Sequence, residues 1–119
     1  MDIIEIEKSV TITDPKAAIT IATEHKNVTG TESYHIVDIP DNDNYFDFEW
    51  RNEGNAIVGI GSKFIGKQLT IFSKAVNIKK DIKDIKLNYL VNGVVCYAHV
   101  NSKAEDPNPA IMLTINFTS

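Results

Sequence analysis

Apolar and polar residues alternate one by one along most of this chain. A period of two is the signature of strands with one buried and one wetted face. In residues 3–13, Ile4, Ile6, Val10 and Ile12 share one face, and Glu5, Glu7, Ser9 and Thr11 share the other. Asp14-Pro15 then breaks the run. Residues 16–26 carry two patterns. Asp14 and Pro15 could cap and start a helix with Ala18, Ile21, Ala22 and His25 on one side. "AITIAT" alternates instead and is rich in β-branched residues, which makes a strand the preferred reading. "NVTG" (27–30) reads as a turn. "ESYHIVDI" (32–39) reads as another strand, ended by Pro40 and the polar "DNDN".

The cleanest alternation is "YFDFEWR" (45–51), with Phe46, Phe48 and Trp50 on one side and Tyr45, Asp47, Glu49 and Arg51 on the other. "NEGN" (52–55) reads as a tight turn into "AIVGI", so these two strands are expected to pair as a hairpin. "QLTIFSKAV" (68–76) is a further strand. In "NIKKDIKDIK" (77–86), Ile78, Ile82 and Ile85 recur at helical spacing behind a possible cap at Asn77. That predicts one or two helical turns, or a loop laid over the edge. "IKLNYLV" and "VVCYAHV" flank Asn92-Gly93, a strong hairpin signal because both central residues must adopt positive φ. "NSKAEDPNPA" (101–110) is a polar loop. "IMLTINFT" closes the chain, with Ile111, Leu113, Ile115 and Phe117 on one face.

Eight or nine short strands without βα alternation predict one domain, residues 1–119, folded as an antiparallel β-sandwich. A partly closed β-barrel is the alternative, with at most one short helix near 77–86. No repeat, linker or second domain is visible. At 119 residues the chain is long enough to bury one real core.

Composition narrows the setting. No apolar run approaches the roughly 18 to 20 residues of a membrane helix. "MDIIEIEKSV" is acidic and alternating, unlike a secretory signal. The one cysteine, Cys96, has no internal disulfide partner, which suits a reducing compartment. A cytoplasmic location is therefore expected. The Asn-x-Thr triplets at Asn27 and Asn116 read as chance occurrences. Abundant isoleucine and lysine with a single arginine, Arg51, suit an AT-rich genome such as that of a low-GC bacterium or its phage.

Charge is uneven. Residues 1–55 carry twelve acids and four bases, and residues 56–119 carry four acids and eight bases. Either the two halves pair within one sandwich, or the first half presents an acidic surface to a basic partner. The basic half lacks the arginines and interleaved aromatics of a nucleic-acid surface.

Several chemical motifs are approached and missed. "GSKFIGK" (61–67) resembles most of a phosphate loop after a strand. Gln68 stands where a magnesium-binding hydroxyl belongs, and a strand pattern follows where a helix should begin. Gly59, Gly61 and Gly66 are better read as places where the backbone bulges or turns. "DNDNYFDFEWRN" starts like a calcium loop at Asp41 and Asp43. Phe46 and Asn52 occupy the positions where glycine and glutamate are required. Cys96 and His99 are three apart on a strand, so strict alternation sends them to opposite faces. His35 and Asp38 fail the same test for a shared metal. Cys96, between Val95 and Tyr97, reads as packing, and no serine sits in a nucleophile elbow. No catalytic residue, metal site or cofactor is expected.

The remaining candidate is the acidic aromatic segment. Its outward side presents Asp41, Asp43, Tyr45, Asp47 and Glu49. Such a row can steer a basic protein partner, or it can simply keep an edge soluble. The expectation is a small non-enzymatic protein-binding domain of inhibitor, immunity or phage-accessory type. A carbohydrate-binding module is the first alternative, using Tyr34, Tyr45, Tyr97 or Trp50 if exposed. A self-assembling structural subunit, a homo-oligomer, is the second. Neither nucleic acid nor membrane is an expected partner.

Overall fold

In a computed structural model of the chain, describing residues 3–25, 32–39, 47–76 and 79–119, the alternating segments form two packed sheets. The strands are β1 (Ile3–Thr11), β2 (Ala18–His25), β3 (Glu32–Asp38), β4 (Phe48–Arg51) and β5 (Gly54–Ile60), then β6 (Gln68–Val76), β7 (Asp84–Val91), β8 (Val94–Ser102) and β9 (Ala110–Thr118). One sheet runs β1-β9-β6-β3-β4 and the other β5-β2-β7-β8. All pairings are antiparallel except β1 with β9, which run parallel from Ile3 opposite Ala110 to Thr11 opposite Thr118. This is a β-sandwich, and the barrel alternative falls away. Residues 16–26 resolve in favour of the strand, β2.

One hydrophobic cluster spans both sheets. Ile19 and Ile21 of β2, Leu69 and Ile71 of β6, and Leu113 and Ile115 of β9 are almost wholly buried. Phe64 meets Phe117 edge-on, with centroids 5.4 Å apart. Each of β1, β2 and β3 pairs with a strand of the second half, namely β9, β7 and β6. The acidic and basic halves are therefore interleaved within the sandwich.

The expected hairpin of 45–51 with "AIVGI" is not formed. β4 pairs with β3, β5 pairs with β2, and the turn between them crosses from one sheet to the other. Asn52 is the reason. It sits in the left-handed region, at φ 62°. Its N–H donates to the Ser33 carbonyl (2.8 Å), and its side-chain oxygen accepts the Ser33 N–H (3.0 Å). Its own carbonyl accepts the Thr23 hydroxyl of the other sheet at 3.0 Å. The turn's hydrogen bonds are thus spent across the interior, and Trp50 is aimed inward over Gly54.

The Asn92-Gly93 hairpin forms as read, with both residues left-handed at φ 51° and 79°. In the segment 77–86, Asn77 and Ile78 lie outside the described residues. Residues 79–83 make a turn closed by Ile82 N–H to Lys79 carbonyl (3.1 Å), and Asp84 already opens β7. The loop option holds there. Ile85 is a buried strand residue, so its helical spacing from Ile82 is coincidental. The short 3-10 turn is at Gly61–Lys63, and β6 follows the glycine-rich stretch. A Cβ on Gly61 would come within 2.9 Å of the Ile12 side chain, which gives that glycine a packing role. Among the described residues, no helix is long and apolar enough to cross a membrane.

Candidate functional site: a polar layer beneath the β3–β4 face

At one end of the sandwich the inward positions turn polar. Thr23 and His25 continue the face of Ile19 and Ile21 on β2. Ser33 and His35 precede Val37 on β3, and Ser73 follows Ile71 on β6. All five are buried, Ser33 fully. Their hydrogen bonds join into one chain. Ser33 Oγ lies between the Nε2 atoms of His25 and His35, at 2.7 Å from the second. The other ring nitrogen of His35, Nδ1, meets Ser73 Oγ at 2.6 Å.

Proton counting orders this chain. Ser33 has one hydroxyl proton and two imidazole nitrogens against it. At most one imidazole can accept from Ser33, so at least one donates to it. Both rings are held neutral. Burial drives the His35 imidazole down to about 3, helped by the neighbouring His25 and opposed by the Asn52 carbonyl. Burial also lowers His25, with Glu53 pulling the other way. The Tyr89 ring meets His35 edge-on at 6.2 Å. Its hydroxyl ends near Ser73 without a properly formed hydrogen bond, and it is the one buried side-chain polar atom without a partner among the described residues.

This constellation is unlike a hydrolytic triad. Ser33 has no accessible face, the His35 Nδ1 meets Ser73 rather than a carboxylate among the described residues, and an imidazole so depressed is a weak base. A second polar group lies on β8. Asn101 donates through Nδ2 to the carbonyls of Ser102 and Asp106, both at 3.0 Å. Its Oδ1 must then accept from His99 Nε2 (2.7 Å), leaving His99 Nδ1 to accept from the Tyr97 hydroxyl (2.8 Å). Both nitrogens of His99 are occupied.

Cys96 and His99 do not point to opposite faces as strict alternation implied. The β7–β8 register shifts so that Tyr89 faces Tyr97 but Leu90 faces Val95, leaving Cys96 as a bulged extra residue. Cys96 and Tyr97 both pack against the core. Burial pushes the Cys96 thiol up, away from a reactive thiolate. Among the described residues, no group of three or more His, Cys, Asp or Glu gathers as a metal would need.

The polar layer supports a surface. A depression of about 360 Å³ is lined by Tyr34, His35, Ile36, Glu49, Trp50 and Arg51. Tyr34 faces Arg51 and Ile36 faces Glu49 across the β3–β4 ladder. The Arg51 guanidinium lies 4.9 Å from the centre of the exposed Tyr34 ring. Phe72 and Lys74 continue this face on β6, opposite Ile36 and Tyr34. Its underside is fixed. Trp50 Nε1 donates to Thr23 Oγ1 at 2.7 Å, and His35 is held by two serines.

Of the acidic row read from sequence, Glu49 is exposed in this face. Asp47 sits at the turn into β4, where its carboxylate accepts the Ile39 N–H at 2.7 Å and its N–H donates to the Val37 carbonyl at 3.0 Å. Asp41, Asp43, Tyr45 and Phe46 lie outside the described residues, as does the "NVTG" turn. Phe48 and Trp50 pack inward as the alternation implied, and Glu49 and Arg51 face out. No protein-family model matches the chain, and comparison with curated proteins and with solved structures gives no significant match.

Proposed function

We propose that this chain is a non-catalytic binding module that holds a partner protein at the β3–β4 face. The observation that carries the reading is the depression itself. Aromatic, aliphatic and oppositely charged side chains (Tyr34, Ile36, Arg51, Glu49) converge on an edge strand whose underside is pinned from within. A surface already fixed loses little freedom on binding, which favours recognition. Glu49, with Asp47 and the acidic segment 41–45 leading into β4, favours a partner with a basic patch. The free edge of β4 offers backbone groups to an added strand. The reading takes the cytoplasm as the setting, where a lone thiol stays reduced.

The test is capture of binding proteins from the native host, followed by titration of the purified partner. Glu49→Lys and Tyr34→Ala are the informative variants, because both side chains point outward. Charge reversal at Asp47 would also remove the acceptor for Ile39. The expected result is at least tenfold weaker binding for each variant and weakening by salt. Binding that ignores both variants would sink the proposal. The exposed Tyr34 ring also favours a second reading, stacking on a sugar. A glycan array that binds wild type but not Tyr34→Ala, with no protein captured, would put that reading first.

A further inference from the structure

A second cavity lies at the end of β2 away from the polar layer. His25 closes that strand and Ile19 stands near its start, where a cavity of about 200 Å³ opens between the two sheets. Its inner wall is the margin of the core: Ile19, Val91 and Phe117, all buried. The β1–β2 connection forms one side of its mouth and the turn at Asn92 the other. Both sides are tied down. Along the connection, Ile12 N–H donates to the Thr118 carbonyl (2.7 Å), Ser62 N–H to the Pro15 carbonyl (2.8 Å) and Gly61 N–H to the Ala17 carbonyl (2.9 Å). At the turn, Asn92 N–H donates to the Thr20 carbonyl (2.9 Å), and Asn92 Oδ1 accepts the Thr20 N–H (2.8 Å). The cavity is therefore preformed, and a ligand entering it orders little of the chain. Asp14 is the only charged residue in the lining. Its Oδ1 accepts the backbone N–H of Lys16 at 3.0 Å, and its Oδ2 has no partner among the described residues.

We propose that this cavity binds a small primary amine with an apolar tail, the ammonium on Asp14 and the tail against Ile19, Val91 and Phe117. Size sets the tail. An apolar cavity of about 150 Å³ accepts a benzene ring, so this one takes a ring with a short aliphatic link. Charge sets the head. A single carboxylate beside an apolar wall attracts a cation and repels an anion, more strongly than it would in open water. The wider field agrees: the chain carries −4 overall, and residues 1–55, which include Asp14, hold twelve acids against four bases. A primary ammonium has three donors, and Thr11 and Thr13 bring hydroxyl acceptors to the same lining. A bare inorganic cation would leave the apolar wall unused. The cavity shares no residue with the depression on the β3–β4 face, so the proposal stands independently of the partner reading.

Phenethylamine is the probe, read by the amide chemical shifts of Ile12, Asp14, Ile19, Val91 and Asn92 in the full chain. Three analogues separate the contributions. Replacing the amine by a hydroxyl, in 2-phenylethanol, removes the charge; phenylacetate reverses it; methylamine removes the ring. The expected result is saturable binding of phenethylamine with a Kd of about 1 mM or tighter, and binding at least tenfold weaker for each analogue. Asp14→Asn keeps the oxygen that accepts the Lys16 N–H and removes the charge. It should weaken phenethylamine at least tenfold and leave 2-phenylethanol unchanged, a split that misfolding would not produce. Amides that phenethylamine leaves unmoved overturn the proposal. So does binding that ignores Asp14→Asn, or 2-phenylethanol that binds as well as the amine. Methylamine binding as well as phenethylamine also overturns it, because that marks a surface ion pair only.

Discussion

His35 should make this protein sensitive to mild acid, and replacing it should remove its share of that sensitivity. Its imidazole falls from 6.5 to about 3 on folding, chiefly through burial. The unfolded chain therefore takes up a proton below about pH 6.5 that the folded chain refuses. A lowered histidine contributes stability that is fully present above the unfolded value and is lost as pH falls toward the folded one. Each unit of that window costs about 1.4 kcal/mol. Between pH 7 and 4.5 the loss from His35 is then about 2.5 kcal/mol, a large share of the roughly 5–15 kcal/mol that holds a small domain together. His25, also lowered, acts in the same direction.

The perturbation is His35→Gln, which keeps a donor and an acceptor but does not titrate. At pH 7 the variant should be less stable by about 1–3 kcal/mol, because an amide cannot satisfy both Ser33 and Ser73 as the ring does. As pH falls the wild type should lose its advantage, and the two stabilities should converge near pH 4.5. Urea unfolding of both proteins across this range measures the difference, in which the carboxylates common to both largely cancel. Parallel stability curves would refute the reasoning. So would an imidazole that titrates near 6.5 in the folded protein by NMR.

Two further perturbations probe the same layer. Tyr89→Phe removes a buried hydroxyl without a hydrogen-bond partner. It should be neutral or stabilising by about 1 kcal/mol in urea unfolding, and a loss larger than that would mean that Ser73 or a water satisfies the hydroxyl. Gly54→Ala places a Cβ 2.6 Å from the Trp50 indole ring. It should cost about 1–3 kcal/mol and change the near-ultraviolet dichroism of the tryptophan. An unchanged spectrum with unchanged stability would show that the turn has room to shift.

The strands were legible because one face of each is buried, and burial imposes the period of two. Asn92-Gly93 was legible because its turn needs positive φ at two successive residues. The β4–β5 crossing was not. A short turn between two alternating runs looks the same whether the runs pair or part. The deciding hydrogen bonds, from Asn52 to Ser33 and Thr23, join residues 19 and 29 positions away. The Cys96 bulge was hidden for a related reason. An extra residue leaves no mark in composition, yet it shifts every parity argument made across it. The polar layer did leave a mark. Thr23, His25, Ser33, His35 and Ser73 all occupy inward positions of their strands, and reading the inward positions of each strand in turn finds them. What alternation does not supply is that the three strands end together in space.

That shared end matters for the surface above it. β4 is only four residues long and, among the described residues, pairs with β3 alone, so its ladder by itself would be a weak anchor. The interior supplies the rest. Trp50 reaches across to Thr23 on the opposite sheet, Thr23 passes the connection to the Asn52 carbonyl, and Asn52 is bonded to Ser33. His35, directly opposite Trp50, is tied sideways to Ser73. An apolar core of the same volume would match or exceed this layer in stability, since buried polar groups recover in hydrogen bonds about what they lose in hydration. It would not fix the orientation of Trp50 or the register of β4, because dispersion contacts are indifferent to small slips and hydrogen bonds are not. The polar layer is therefore best understood as the device that holds a short edge strand, with Glu49 and Arg51 on its outer side, in one defined position.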